Sequence, residues 1–121
     1  DRWREMAFGT LDGRRVGEVV VGLVARWADD IHHAPDGGES MAAVHDRVGE
    51  AWADVLGSRT AGATVVVTHA TPIKSAVIHA LRGSPSQILS LRVDVGSVSV
   101  IGVPRPFSPV LEVFNDVSHL D

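Results

Sequence analysis

The chain has 121 residues, of which 45% are hydrophobic, and a formal net charge of −4 with histidine neutral, enough for one domain with a single core. The acidic balance and the scattered arginines argue against a nucleic-acid surface, and the longest apolar run, residues 19–25, is too short to cross a membrane. The sequence contains no cysteine, which excludes disulfides and cysteine-based zinc sites and favours a cytoplasmic location.

Two amphipathic helices are predicted in the first half of the chain. Apolar residues recur at helical spacing over residues 14–31, and the Pro-Gly-rich stretch 32–39 ends that helix. Ser40 is a typical N-cap, and a second apolar stripe follows it as far as Gly57.

A buried strand and a third helix come next. The run from Thr64 to Val67 is entirely β-branched, so residues 63–69 predict a buried strand. Pro72 suits the first turn of a helix and Thr71 suits its cap, which predicts a helix over residues 72–82 with Gly83 at its end.

The remainder of the chain predicts a short helical turn at Ser84 and Pro85, then two strands, residues 97–103 and 110–117, joined by a loop. Helices on both sides of a buried strand indicate an α/β fold with a partly parallel sheet. Because a strand as apolar as residues 64–67 needs neighbours on both edges, we expect the sheet to be short of one strand.

His69 lies where the predicted strand ends and the third helix begins. In open α/β sheets, ligands bind beyond the carboxyl ends of the strands, and a helix N-terminus offers free N–H groups to phosphate. A histidine there can donate to a phosphoryl oxygen. A structural histidine bonded to a backbone carbonyl is the alternative, and position alone does not separate the two.

Glu5 is the second candidate. It lies among Trp3, Met6 and Phe8, so we expect a partly desolvated carboxylate whose pKa is raised, as suits a general acid. From spacing alone, an exposed carboxylate or a salt bridge to a neighbouring arginine is the simpler interpretation.

The stretch "PDGGES" leaves Glu39 free to meet a cation. A tight turn at the two glycines and the Ser40 cap nevertheless explain most of this motif without a function.

The other histidines do not predict a metal site. The rings of His32 and His33 diverge because the residues are adjacent, and His45 is distant in sequence. His79 is expected to pack or to lie on the surface, and His119 to close a C-terminal turn.

Four motifs, "WREMAFGTLDG", "PDGGES", "VVVTHATPIKSAV" and "NDVSHL", occur in an order that resembles the histidine phosphatase superfamily, also called phosphoglycerate mutase-like. The resemblance is greatest to α-ribazole phosphatase-like members and to the acid phosphatase half of actinobacterial ribonuclease H fusions. It implies a three-layer α/β/α sandwich with a mostly parallel sheet. In that family a histidine is phosphorylated by the substrate, and the phosphoryl group then passes to water.

The resemblance also implies roles for individual residues. Glu5 becomes the proton donor to the leaving oxygen and later the base for water. His69 becomes the second histidine, which contacts the transferring phosphoryl group, with Ala70 and Thr71 beside it in substrate binding. The partner is a small phosphorylated metabolite and no cofactor is implied. α-Ribazole phosphate, phosphoglycerates and other sugar phosphates all stay open.

The sequence departs from the family pattern where the nucleophile is expected. No "RHG" motif occurs, the phosphate-binding arginine of an "SxxxRAxxT" helix is missing, and Leu11 and Asp12 stand where "WEG" is usual. We therefore expect residues 1–121 to be a single partial domain, the C-terminal part of a histidine phosphatase-like domain without its N-terminal strand and helix. An N-terminal complementing segment or a homodimer would complete it.

Three alternatives remain in other functional classes. The first is a non-catalytic binding or assembly module. The chain alone is expected to have no ordinary turnover, since neither His32 nor His45 can replace the nucleophile. Phosphoglycerate mutase-type transfer is the second. A serine hydrolase with His69 as base is remote because no "GxSxG" elbow is present.

Overall fold

A computed structural model describes residues 1–58 and 61–121 of the chain. Within these residues lie three α-helices and two strands, which are α1 (Val16–Asp29), α2 (Met41–Ser58), α3 (Ala70–Ala80), β1 (Val98–Gly102) and β2 (Val110–Asp116). Short 3-10 turns occupy Gly9–Leu11, Pro85–Ser90 and Ser118–Leu120. The mixed α/β class is therefore confirmed, as are the predicted turns at Pro85 and His119.

The two amphipathic helices form where their stripes predict them. α1 begins and ends inside the predicted range 14–31, and α2 begins one residue after Ser40. The Ser40 hydroxyl accepts the N–H of Ala43 at 3.1 Å, so the predicted N-cap is confirmed.

The third helix begins earlier than predicted. His69 is its N-cap, with extended backbone, and the His69 carbonyl accepts the N–H of Ile73 at 3.0 Å. The prediction that Thr71 caps this helix is wrong, since Thr71 lies inside the first turn. The reason is that no first-turn N–H has an intrahelical partner, so Pro72 is tolerated anywhere in that turn.

The end of α3 also differs from the prediction. The helix stops at Ala80, and Arg82 rather than Gly83 adopts the left-handed backbone, with a φ of 55°. The Gly83 N–H then donates to the Ile78 carbonyl at 2.9 Å, which satisfies one of the last free carbonyls.

Residues 63–69 differ most from the prediction. The two described strands, β1 and β2, pair antiparallel with each other, and residues 63–69 belong to neither. Val65 is 82% exposed and Val67 is 92% exposed, so the prediction of a buried strand is wrong here. A strand needs a neighbouring ladder to bond its N–H and C=O groups, and the described residues supply none at this position. The mostly parallel sheet stays a prediction.

The core lies between the helices and the N-terminal segment. Its buried side chains are Met6, Leu23, Trp27, Met41, Val44, Val48, Ala76, Ile78 and Ile88. α2 packs against α3, which fixes the His69 end of α3 beside residues 1–8. None of the helices in the described residues is both long and apolar enough to cross a membrane.

Candidate active site

The Glu5 carboxylate lies against the first turn of α3. Its Oε1 accepts the N–H of Met6 at 2.7 Å, and its Oε2 accepts the N–H of Thr71 at 3.3 Å. The Thr68 hydroxyl donates to the carbonyl of Trp3, which ties the same two segments together. The structure thus joins two candidate residues, Glu5 and Thr71, that are far apart in sequence.

The free donors at the N-terminus of α3 are few. Thr71 gives its N–H to Glu5, Pro72 has none, and Ile73 bonds to the His69 carbonyl. Within the described residues, the N–H of Ala70 makes no hydrogen bond. An incoming phosphoryl oxygen can therefore take the Ala70 N–H at once, and the Thr71 N–H only when Glu5 releases it.

The His69 ring is exposed and has no hydrogen-bond partner among the described residues, so the contact with a backbone carbonyl that would mark a structural histidine is not observed. His69, Glu5 and Ala70 all line one groove of about 1460 Å³, whereas Thr71 does not line it. The ring is thus free to contact a ligand in the groove that also contains the Glu5 side chain.

A cation that was not among the residues predicted from the sequence lies near Glu5. Lys74 is one turn after Thr71 on α3 and is partly buried. Burial lowers the pKa of the Lys74 ammonium group, and the Glu5 carboxylate opposes that shift. The spacing of three residues from Thr71 places Lys74 on the same helix face, and this was the signal available in the sequence.

The suggested salt bridge between Glu5 and a neighbouring arginine does not form. Arg2 bonds to Asp54 on α2, and Arg4 donates to Glu39 at 2.9 Å. In the described part of the chain Glu5 has no ion pair within salt-bridge distance.

Glu39 meets a cation, as its sequence context suggested, and the cation belongs to the chain. Arg47 donates to both Glu39 oxygens, from Nε at 2.8 Å and from Nη2 at 2.9 Å, and Ala7 donates its N–H at 2.9 Å. The hydrogen bonds from Arg47 are the main cause that lowers the pKa of Glu39. Arg47 was not among the candidates predicted from the sequence, because Glu39 lies before the start of α2 and its contact with Arg47 depends on the path of the loop.

His45 and His79 are packing residues. Their rings stack with centroids 3.8 Å apart, the His45 ring bonds to the Ser75 hydroxyl at 2.9 Å, and the His79 ring donates to the His45 carbonyl at 2.8 Å. Of the two alternatives predicted for His79, packing or a surface position, packing is observed.

Solved structures share this fold. A phosphoserine phosphatase from Entamoeba histolytica, crystallised as a histidine-to-alanine variant with phosphoserine, superposes with a TM-score of 0.80 at 21% identity over 99% of this chain and 62% of its own. A protein from Escherichia coli described as an α-ribazole-5′-P phosphatase gives 0.76 at 24% identity over 95% and 58%. A mycobacterial hydrolase gives 0.72 at 22% identity over 95% and 63%.

The fold is therefore one that phosphatases use, and the chain spans about three-fifths of the length of these proteins. The sequence model of the histidine phosphatase superfamily (branch 1) matches residues 1–117, and the chain belongs to this superfamily. No curated protein sequence matches the chain significantly. The resemblance inferred from the four motifs is confirmed.

Proposed function

We propose that this chain supplies the general acid and the second histidine of a phosphomonoester hydrolase that acts through a phosphohistidine intermediate. The observation that carries the proposal is the Glu5 carboxylate bonded to the first turn of α3, in the groove that His69 and Ala70 also line. Membership of the histidine phosphatase superfamily supports phosphoryl chemistry at this place.

In the proposed reaction, a histidine nitrogen attacks phosphorus and the ester P–O bond breaks. Protonated Glu5 gives its proton to the leaving oxygen, and its carboxylate later takes a proton from the water that attacks the phosphohistidine. The His69 ring and the Ala70 N–H stabilise the charge on the phosphoryl oxygens. A protonated carboxyl group is a poorer hydrogen-bond acceptor than a carboxylate. While Glu5 is protonated, before it gives its proton to the leaving oxygen, the Thr71 N–H is therefore released to bind substrate.

The attacking histidine is proposed to come from outside these 121 residues, which contain no "RHG" motif. We propose that an N-terminal segment carries it and adds a strand along residues 63–69. This addition would complete a three-layer α/β/α sandwich with a mostly parallel sheet, of which residues 1–121 form the C-terminal part. The exposed Val65 and Val67 and the adjoining groove support the addition. A homodimer through the same edge is the alternative.

The proposed substrate is a small phosphorylated metabolite, of the acid phosphatase or α-ribazole phosphatase type. The phosphatase descriptions of two structural neighbours support this class. Phosphoglycerate mutase-type transfer and a non-catalytic binding or assembly module are the other candidates, and a cytoplasmic location stays a prediction. Phosphate release from a monoester favours the hydrolase, transfer to a second hydroxyl favours the mutase, and ligand binding without turnover favours the module.

The test uses the complemented protein, meaning residues 1–121 together with the segment that bears the nucleophilic histidine. We expect His69→Ala and Glu5→Gln each to lower turnover on the order of 100-fold. The matched controls are His32→Ala and Glu112→Gln, whose exposed side chains lie outside the groove lining. Wild-type rates in both site variants would contradict the assignment.

A further inference from the structure

The Arg47 guanidinium on α2 uses all three of its nitrogens in hydrogen bonds. Nε and Nη2 hold the two Glu39 oxygens. Nη1 donates to the carbonyls of Arg2 at 2.8 Å and Arg4 at 2.9 Å, and Nη2 also donates to the carbonyl of Glu5 at 3.2 Å. A guanidinium has five N–H groups in a rigid fork, and five contacts match that capacity.

The cluster of Arg47 and Glu39 is largely withdrawn from solvent, with side-chain exposures of 12% and 15%. A buried, bidentate pair of this kind has fixed geometry, and losing one partner leaves the other charge unpaired. Glu39 in turn accepts the N–H of Ala7, so the pair holds the chain on both sides of Glu5.

The position of Glu5 relative to α3 depends on this cluster. Arg47 is anchored on α2, α2 packs against α3, and the Glu5 side chain meets α3 at the Thr71 N–H. Releasing the carbonyls of Arg2, Arg4 and Glu5 would let the Glu5 backbone shift while α3 stays in place. An error of about 1 Å in a reacting group is enough to cost about 100-fold in rate.

We propose that Arg47 is a positioning residue for Glu5, which holds the backbone of residues 2–5 so that the Glu5 carboxylate stays on the first turn of α3. This inference rests on the proposed role of Glu5 as the general acid. Arg47 itself touches no substrate in this scheme.

The first test compares Arg47→Met with Arg47→Lys in the complemented protein, on aryl and alkyl phosphates of increasing leaving-group basicity. We expect Arg47→Met to lose about 10- to 100-fold in kcat on poor leaving groups, little on nitrophenyl phosphate, and little in KM. Arg47→Lys keeps the positive charge but not the planar guanidinium group. Its kcat on poor leaving groups should therefore lie between that of Arg47→Met and that of the wild type. In a Glu5→Gln background, Arg47→Met should add no further leaving-group dependence.

The control for a merely structural role is Val48→Ala, which opens a cavity in the core beside Arg47 without touching its contacts. We expect this variant to lower stability while rates fall equally on all leaving groups. If Arg47→Met behaves like Val48→Ala, the positioning role is overturned. If Arg47→Met does not fold, the same comparison is made with Arg47→Lys.

A second readout does not depend on activity. The Thr71 amide signal in NMR should titrate with the Glu5 carboxyl group, because its N–H bonds to that carboxylate, and Glu5→Gln should abolish the titration. We expect Arg47→Met, or Arg47→Lys if it alone folds, to reduce this titration while Val48→Ala retains it. An unchanged Thr71 titration overturns the proposal. If no phosphomonoester is hydrolysed, the proposed function fails, and this titration still decides the role of Arg47.

Discussion

At the N-terminus of α3, His69 and Ala70 have unused hydrogen-bonding groups, whereas Thr71 is committed to Glu5. One free amide and one exposed ring make a weaker anion site than a full set of first-turn donors would. Residues 1–121 should therefore bind free phosphate only weakly, through the helix dipole and the ring of His69.

We expect phosphate or vanadate at millimolar concentration to shift the ring signals of His69 in NMR, because the helix N-terminus attracts the anion to the place where this ring lies. His119, which lies in the C-terminal 3-10 turn, is the internal control and should not shift. The absence of any change at His69 would show that the site needs arginines from outside these residues.

Glu5→Gln and His69→Ala should also differ from each other in their dependence on the leaving group. Glu5→Gln should lose least on nitrophenyl phosphate, since nitrophenolate needs little protonation, whereas His69→Ala should lose similar factors on good and poor leaving groups. The measurement is kcat across the same phosphate series in the complemented protein. Equal losses of Glu5→Gln on all substrates would mean that Glu5 only supports structure.

At the scale of the elements, the contact between α2 and α3 contains the stacked rings of His45 and His79. Burial is the largest cause that lowers the pKa of His45; the charge of His79 adds to the shift, and Asp46 opposes it. Gly49 on α2 provides the space for the stack, because a Cβ at that position would lie 2.6 Å from Cε1 of His79. The interface is thus built around two stacked imidazole rings, and burial disfavours the charged form of His45.

We expect stability to fall as the pH drops below the ordinary histidine value of 6.5. The folded state favours neutral His45. Between the folded-state and ordinary pKa values of His45, the unfolded chain therefore binds more protons than the folded chain. The free energy of unfolding consequently decreases as the pH is lowered. Urea unfolding of the complemented protein across this range measures the effect, and His45→Gln should remove most of it. An identical pH dependence in His45→Gln would contradict this explanation.

A second loss of stability is expected at lower pH. The pKa of Glu39 is held below its ordinary 4.5, chiefly by Arg47, so this contribution is present above 4.5 and is lost as the pH falls through the folded-state value. Glu39→Gln should abolish this loss without changing the one assigned to His45.

Two glycine-to-alanine variants should change stability in opposite directions. Gly22 lies inside α1, and a Cβ added there would meet no other atom within 4 Å, so Gly22→Ala should raise the free energy of unfolding by up to about 1 kcal/mol. Gly49→Ala should lower it, because the His79 ring is stacked and hydrogen-bonded and cannot easily move away. Urea unfolding of the two variants in the complemented protein is the measurement, and a gain in stability for Gly49→Ala would show that the stack yields readily.

At the scale of the whole molecule, the described chain leaves large apolar side chains in water around one groove. Val65, Val67 and Val95 are 82%, 92% and 95% exposed, and all three line this groove of about 1460 Å³. Each such side chain forgoes roughly 1.5 to 3 kcal/mol of burial. Together they are comparable with the stability of about 5 to 15 kcal/mol of a whole domain.

We therefore expect residues 1–121 alone to be molten, aggregated or paired through the edge formed by residues 63–69. Adding the N-terminal segment in trans should restore a cooperative thermal transition, and Val67→Lys should suppress pairing through that edge. Thermal unfolding, sizing and binding of an apolar dye are the measurements. A monomer with a sharp melt and no dye-binding surface would contradict the proposal of a partial domain.

Local patterns in the sequence determined α1, α2 and the Ser40 cap, because helical periodicity and capping act over a few neighbouring residues. The same sequence also placed His69 at a helix N-terminus and identified the superfamily through its ordered motifs. It misjudged the first turn of α3, where Thr71 and Pro72 fit more than one position.

The tertiary structure alone decided the contacts between distant parts of the chain. The bond between Glu5 and Thr71 and the hold of Arg47 on residues 2–5 join segments dozens of positions apart, which no local pattern encodes. Residues 63–69 show the same limit of local patterns, in this case through a prediction that was wrong. Their β-branched composition predicts a strand, but a strand forms only against a partner ladder, and that partner is a property of the assembled sheet rather than of the strand's own residues.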